Sequence, residues 1–181
     1  LLLRTIRRYW KAGDNRKIVL FSFFKDTLRY LNERLGEDGI SSVLLHGDID
    51  KDPALSAFED PDGPAILLSS EVASEGVDLQ FSSVLINYDL PWNPAKIEQR
   101  IGRIDRIGQK EEKILIWNFV YAHTVDDRVC KRLLNRLETF ERTLGSSEMV
   151  LGKEIRRLTH DLLTHNLTPE QEEKRIEQTT I

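Results

Sequence analysis

Three arginines, Arg100, Arg103 and Arg106, stand within the eleven residues from Gln99 to Gln109, with a glutamine at each end and isoleucines threaded between them. A guanidinium is always charged and presents a planar fork of N–H donors, so it binds phosphate oxygens in pairs. At 3.6 residues per turn, Gln99, Arg103 and Arg106 (i, i+4, i+7) share one helical face, and Ile97, Ile101 and Ile104 share the opposite one. The spacing therefore predicts a helix that buries isoleucines and holds two guanidinium groups and an amide together on a fixed platform. Such a platform suits a polyphosphate or a nucleic-acid backbone. An ordinary solvated helix has the same spacing, so spacing alone does not choose between the two.

Other candidates lie in short turns. Ser22 follows Ile18–Phe21, His46 and Gly47 follow Ile40–Leu45, and Ser69 and Ser70 close Ala65–Leu68 and open a loop that reaches Gly76 and Asp78. The four histidines, His46, His123, His160 and His165, lack ligand spacing, so no metal site is expected. The single Cys130 rules out an internal disulfide framework and fits a reducing compartment. A net charge of −4 argues against a purely electrostatic nucleic-acid binder, but not against local basic contacts.

The elements that must position these residues read clearly. Residues 1–11 carry Leu2, Leu3, Ile6 and Trp10 on one side of a predicted helix, which Gly13-Asp14-Asn15 breaks. Apolar runs at 18–24, 40–45, 65–69, 83–88 and 114–121 predict five buried strands. Between them, 26–35 is helical with Gly36 as its stop, a short helix runs to Phe58, and Asn93-Pro94 starts the helix that enters the arginine platform. Buried strands alternating with helices argue for a parallel sheet with helices on both faces, whose ligands sit beyond the C-terminal strand ends. After Tyr121 the pattern turns helical: Thr124-x-x-Asp127 resembles a capping box, and stripes run from Val125 to Leu144 and from Leu151 to Leu162, interrupted by Gly145-Ser146-Ser147. A third, largely polar helix would be capped at Thr168. No apolar run is long enough to cross a membrane. The opening Leu-Leu-Leu-Arg and a single methionine at 149 are those of a piece of a longer protein.

Gln99–Gln109, Gln-Arg-Ile-Gly-Arg-Ile-Asp-Arg-Ile-Gly-Gln, resembles motif VI of superfamily-two helicases and translocases, and its Arg-Ile-Gly-Gln ending resembles the Swi/Snf-type branch. Leu67–Leu79 is similar to motif V of that superfamily, Val19–Phe24 to motif IV, and Leu45-His46-Gly47 to the strand-end motif that follows. Asp89–Pro94 is similar to the link between motifs V and VI. Together these span roughly residues 17–121 in the family's order, which is far more specific than any one of them. The wording at 70–76 and 100–109 is most similar to the bacterial RNA-polymerase-associated branch, and phage-defence helicases are also similar. Three departures stand out: Phe23 where Swi/Snf members often have Gln, Asp105 where eukaryotic members usually have His, and no arginine in 50–57. Neither a Gly-x-x-x-x-Gly-Lys-Ser/Thr loop nor Asp-Glu-x-His occurs.

The resemblance implies a RecA-like α/β fold: an N-terminal helix and link at 1–16, a second motor domain at 17–121 and a helical extension at 122–181. It implies ATP bound between two RecA-like domains, with Mg2+ ligands and the phosphate loop supplied by an N-terminal motor domain of the same chain. Arg103 and Arg106 would be arginine fingers, Gly76, Asp78 and Gln99 would join them at the nucleotide, and Ser22, His46, Gly47, Ser69 and Ser70 would face nucleic acid. The expected activity is an ATP-dependent translocase or helicase in the cytoplasm, acting on double-stranded DNA, with RNA polymerase a candidate partner. The alternative is a degenerate nucleotide-binding scaffold without motor activity.

Overall fold

Ile18–Phe21 is apolar at every position because the strand it forms is covered on both faces. In the computed structural model, described at residues 1–11, 17–71, 73–111, 113–130, 170, 171 and 174, five strands form one sheet, the outer two of them only partly buried. They are β1 (Ile18–Phe21), β2 (Ser42–Leu45), β3 (Ile66–Ser69), β4 (Val84–Asn87) and β5 (Leu115–Asn118). Their spatial order is β2-β3-β1-β4-β5, and every neighbouring pair is parallel. In register, Leu45, Ser69, Phe21, Asn87 and Asn118 form a single row across the C-terminal edge.

Alternation along each strand divides the core in two. Ile18, Leu20, Ile66, Leu68, Val84 and Ile86 face one way, under Leu2 and Ile6 of α1 (Leu2–Lys11) and Leu28, Leu31 and Leu35 of α2 (Lys25–Glu37). Val19, Phe21, Leu67 and Leu85 face the other way, under Ala54 and Phe58 of α3 (Lys51–Glu59) and Ile104 of α4 (Pro94–Ile104). Each fully buried side chain of this size contributes about 1.5–3 kcal/mol, so the two layers supply the main drive to fold. Helices on both faces of a parallel sheet are what the run pattern predicts. The helix within 1–16 belongs to the sheet's own core.

Boundaries differ from the sequence reading in two informative places. The chain leaves the sheet after Phe21, three residues before the apolar run ends: Phe23 N–H and the Ser22 hydroxyl both donate to Asp89, which turns Phe23 and Phe24 out to solvent. Helix α2 runs past Gly36. It ends at Glu37 and is closed by Gly39, whose φ of +72° lets Gly39 N–H reach Gly36 O and Ile40 N–H reach Leu35 O, the double closure of a Schellman motif. Asn93 caps α4 as expected, its Oδ1 accepting from Ala95 N–H at 3.0 Å.

The chain divides into two compact units, residues 1–89 with 100–119 and residues 90–99 with 120–181. Within the second, Trp92 Nε1 donates to Asp126 Oδ1 at 2.7 Å. The Thr124 hydroxyl accepts from Asp127 N–H while the Asp127 carboxylate accepts from His123 N–H, an exchange of the capping-box kind, and a helix follows over 125–130. The link at 13–15, the stripes from Leu133 to Leu144 and from Leu151 to Leu162, the Gly145–Ser147 break and the cap at Thr168 lie outside the described residues.

Candidate functional site

The segment between β3 and β4 carries one end of the site to the other. It leaves the C-terminal edge at Ser69-Ser70 and descends one face with Ala73, Val77 and Leu79 buried. It ends at Ser82, whose hydroxyl donates to Lys17 O at 2.7 Å just before β1 begins. Small residues and Gly76, at φ +76°, permit this path; a side chain at 76 would have room but not the backbone conformation.

Helix α4 descends beside that segment and is joined to it directly: Leu79 N–H donates to Arg103 O at 2.8 Å. The helix stops at Ile104, so Arg106 lies beyond it, in a turn. Gln109 makes that turn, donating from Nε2 to Ile104 O at 3.1 Å and to Ser82 O at 2.8 Å. Gly108 completes it at φ +107°, where a Cβ would come within 3.1 Å of Gln80 Oε1. The single helical face predicted for Gln99, Arg103 and Arg106 is therefore corrected: Gln109 caps the helix before Arg106 is reached. Arg106 still comes to Asp78, donating from Nη1 to its carboxylate and from Nε to Gly102 O at 3.0 Å. Asp105 is exposed. Arg103 is partly buried, and among the described residues its side chain has no hydrogen-bond or ion-pair partner. Gln99 is exposed and belongs to the second unit.

Asp78 and Arg106 thus meet toward the N-terminal ends of the strands, near Ser82, and Arg103 is joined to the same segment through its carbonyl. Ligands were expected beyond the C-terminal ends, and it is the descending 70–82 segment that moves this group away from them. The predicted nucleic-acid contacts stay at the C-terminal edge, but most are inward. Ser22 and Ser69 are fully buried, Ser70 and His46 nearly so, and only Gly47 is exposed. Ser22 donates to Asp89, and Ser69 Oγ donates to Ser70 O at 3.1 Å. His46 Nδ1 lies 3.7 Å from Asp48 Oδ2, beyond hydrogen-bond reach. At this edge Lys25 pairs with Asp48 at 2.8 Å. The Lys25 ammonium holds the Asp48 carboxyl below its ordinary pKa.

Arg100 is the residue the sequence reading passed over. It is 2% exposed, donates from Nη1 to Asn87 Oδ1 at 2.7 Å and to Asp89 O at 3.2 Å, and its guanidinium lies 5.1 and 5.0 Å from the Phe21 and Phe23 ring centres. Asn87 in turn donates to Asn118 Oδ1 at 2.7 Å, so one cation ties together the ends of β1, β4 and β5. Burial lowers its pKa to about 10, opposed by Glu71 and Asp89, so it remains charged at neutral pH. A signal existed: Ile97, Arg100 and Ile104 are spaced i, i+3, i+7, which puts Arg100 on the isoleucine face. Burial took that side of the stripe and left Ile101 half-buried.

Among the described residues no three His, Cys, Asp or Glu side chains converge to hold a metal ion, and no helix is long and apolar enough to cross a membrane. The chain resembles known proteins in sequence and in fold. The family described as the helicase conserved C-terminal domain matches residues 2–108. The uncharacterized ATP-dependent helicase YqhH of Bacillus subtilis is 37% identical over 162 residues, 86% of this chain and 28% of that protein. The RNA polymerase-associated protein RapA of Photobacterium profundum is 42% identical over 107 residues, 56% of this chain and 11% of that protein. The chain therefore spans under a third of either relative. In fold it is similar to the C-terminal part of the Fun30 ATPase domain (TM-score 0.65, 19% identity, covering 72% of this chain and 43% of that one). It is also similar to the C-terminal domain of the DEAD-box protein Dbp5 (TM-score 0.60, 23% identity, 74% and 77%). The chain belongs to the helicase conserved C-terminal domain family and has a RecA-like fold.

Proposed function

We propose that this chain is the second motor domain of an ATP-dependent translocase that moves on double-stranded DNA. The observation that supports it most is the junction of the two motif segments: Leu79 N–H on Arg103 O, with Asp78 and Arg106 in contact beside it. Two guanidinium groups, Arg106 exposed and Arg103 partly buried, and one exposed carboxylate fit the donors and acceptor that a nucleoside triphosphate needs. Bound ATP supplies the transferable phosphoryl group; Arg103 and Arg106 offset charge developing on it, and Asp78 accepts from the ribose. Gly76 lets the backbone approach closely. The Mg2+ ligands and the phosphate loop fall to an N-terminal motor domain of the same protein.

The 70–82 segment gives the proposal its coupling. It is one continuous piece of chain with the strand-edge turns at one end and Asp78 at the other, so a shift at the nucleotide is carried to Ser69-Ser70, Ser22 and Gly47. Domain closure on ATP and opening after hydrolysis then become movement along DNA. RNA polymerase is the candidate protein partner and the cytoplasm the compartment. The test is ATP hydrolysis by the full-length protein with and without duplex DNA. Stimulation by duplex is expected; equal rates with no nucleic acid, duplex DNA, single-stranded DNA and RNA would overturn the reading.

A further inference from the structure

Ile107 is 102% exposed, although hydrogen bonds hold the turn on both sides of it. On its N-terminal side Arg106 is fastened to Asp78 and Gly102 O. On its C-terminal side Gly108 packs against Gln80, and Gln109 is bound to Ile104 O, Ser82 O and, through its own N–H, Arg106 O at 3.0 Å. A loose loop would let such a side chain fold back onto the surface. This turn holds it out.

We infer that Ile107 is an apolar docking contact for the preceding motor domain, buried when the nucleotide cleft closes. This rests on the proposed function and adds to it a contact of a different chemical kind. Three observations favour that occupant. Ile107 immediately follows Arg106, so whatever surface brings a triphosphate to Arg106 also meets Ile107. The relatives contain far more chain than this one, 28% and 11% of their lengths being matched, so a further domain is the available partner. The side chain carries no charge and no polar atom, so it offers nucleic acid neither an ion pair nor a hydrogen bond. Water leaves an isoleucine only against another apolar surface, and burying one favours the closed state by roughly tenfold or more. Arg103 and Arg106 then act on phosphate while Ile107 helps set how often the cleft is closed.

The experiment uses the full-length protein. Ile107→Cys is treated with a maleimide, and modification of that peptide is followed by mass spectrometry. The thiol should react rapidly without nucleotide, and at least about tenfold more slowly with ADP–beryllium fluoride and duplex DNA together. Ile107→Asp should lower kcat by about tenfold and leave the melting temperature unchanged, while Ile107→Leu should retain most activity. Equal labelling in both states, or normal turnover by Ile107→Asp, overturns the inference. Arg103→Ala and Arg106→Ala separate the two readings. If they abolish turnover while position 107 is indifferent, only the docking contact fails; if they turn over normally, the proposed function fails and takes the docking contact with it.

Discussion

The Arg106 guanidinium donates to the Asp78 carboxylate across 28 residues of chain, joining the end of one motif segment to the end of another. The two side chains are 42% and 56% exposed, so the pair is worth at most about 1 kcal/mol to folding. Its consequence is for ligand binding. Under the proposed function a triphosphate draws Arg106 toward phosphate while Asp78 turns to the ribose, and each partner exchanges one charged contact for another.

Asp78→Ala should therefore act on ATP more than on stability. Loss of a charged hydrogen-bond acceptor is worth about 1.5 kcal/mol, or roughly tenfold in the KM for ATP. Steady-state kinetics and urea unfolding of the full-length protein are the two measurements. An unchanged KM with a large fall in unfolding midpoint would make Asp78 a structural residue.

Arg103→Ala and Arg106→Ala should each lower the turnover rate by about a hundredfold or more, within the range that loss of an arginine finger can cost. Neither guanidinium is buried in the core, so stability should change by no more than about 0.5–1 kcal/mol. Lysine should rescue little, because an ammonium is a point charge and cannot reproduce the planar fork. DNA binding, read by fluorescence anisotropy, should largely survive in both.

Arg100→Ala should behave in the opposite way. It strands Asn87 Oδ1 and Asp89 O, removes the cation from between Phe21 and Phe23, and should cost about 3 kcal/mol of stability. Ile104→Ala should cost about 2–4 kcal/mol through a core cavity, and Ile101→Ala clearly less, since Ile104 is fully buried and Ile101 only half. Thermal melts of the three variants rank them directly. Equal losses at 101 and 104 would contradict the packing described.

Purified residues 1–181 should hydrolyse almost no ATP and bind it weakly, because under the proposed function Arg103, Arg106 and Asp78 form one side of a cleft. Duplex-stimulated turnover by this chain alone would remove the need for a second motor domain.

The sheet was legible in advance because its three central strands are buried on both faces. A run such as Ile66-Leu67-Leu68 has no other good place to go, and the Gly, Pro and Asn punctuation around it sets the alternation with helices. Motif wording likewise named the family before any coordinates, since eleven constrained residues carry more information than a periodicity. Strand order, by contrast, is a long-range property: β1 lies between β3 and β4 because of crossovers that no local pattern records.

The candidate site reads in the sequence as a set of residues and not as an arrangement. Helical spacing put Arg106 on one face with Gln99 and Arg103, but the capping amide of Gln109 ended the helix first. Spacing also allowed either Arg100 or Ile101 to complete the buried stripe. Only the tertiary structure chose the charged residue, because Asn87, Asp89 and two phenylalanine rings from distant parts of the chain were there to receive it. Ser22, Ser69 and His46 read as surface contacts in sequence, where a polar residue at a strand end looks exposed. Packing turned them inward and left Gly47 and the turn backbones at the edge. Residue types determined what chemistry this chain could do; the meeting of β1, the 70–82 segment and the end of α4 decided which side chains were left free to do it.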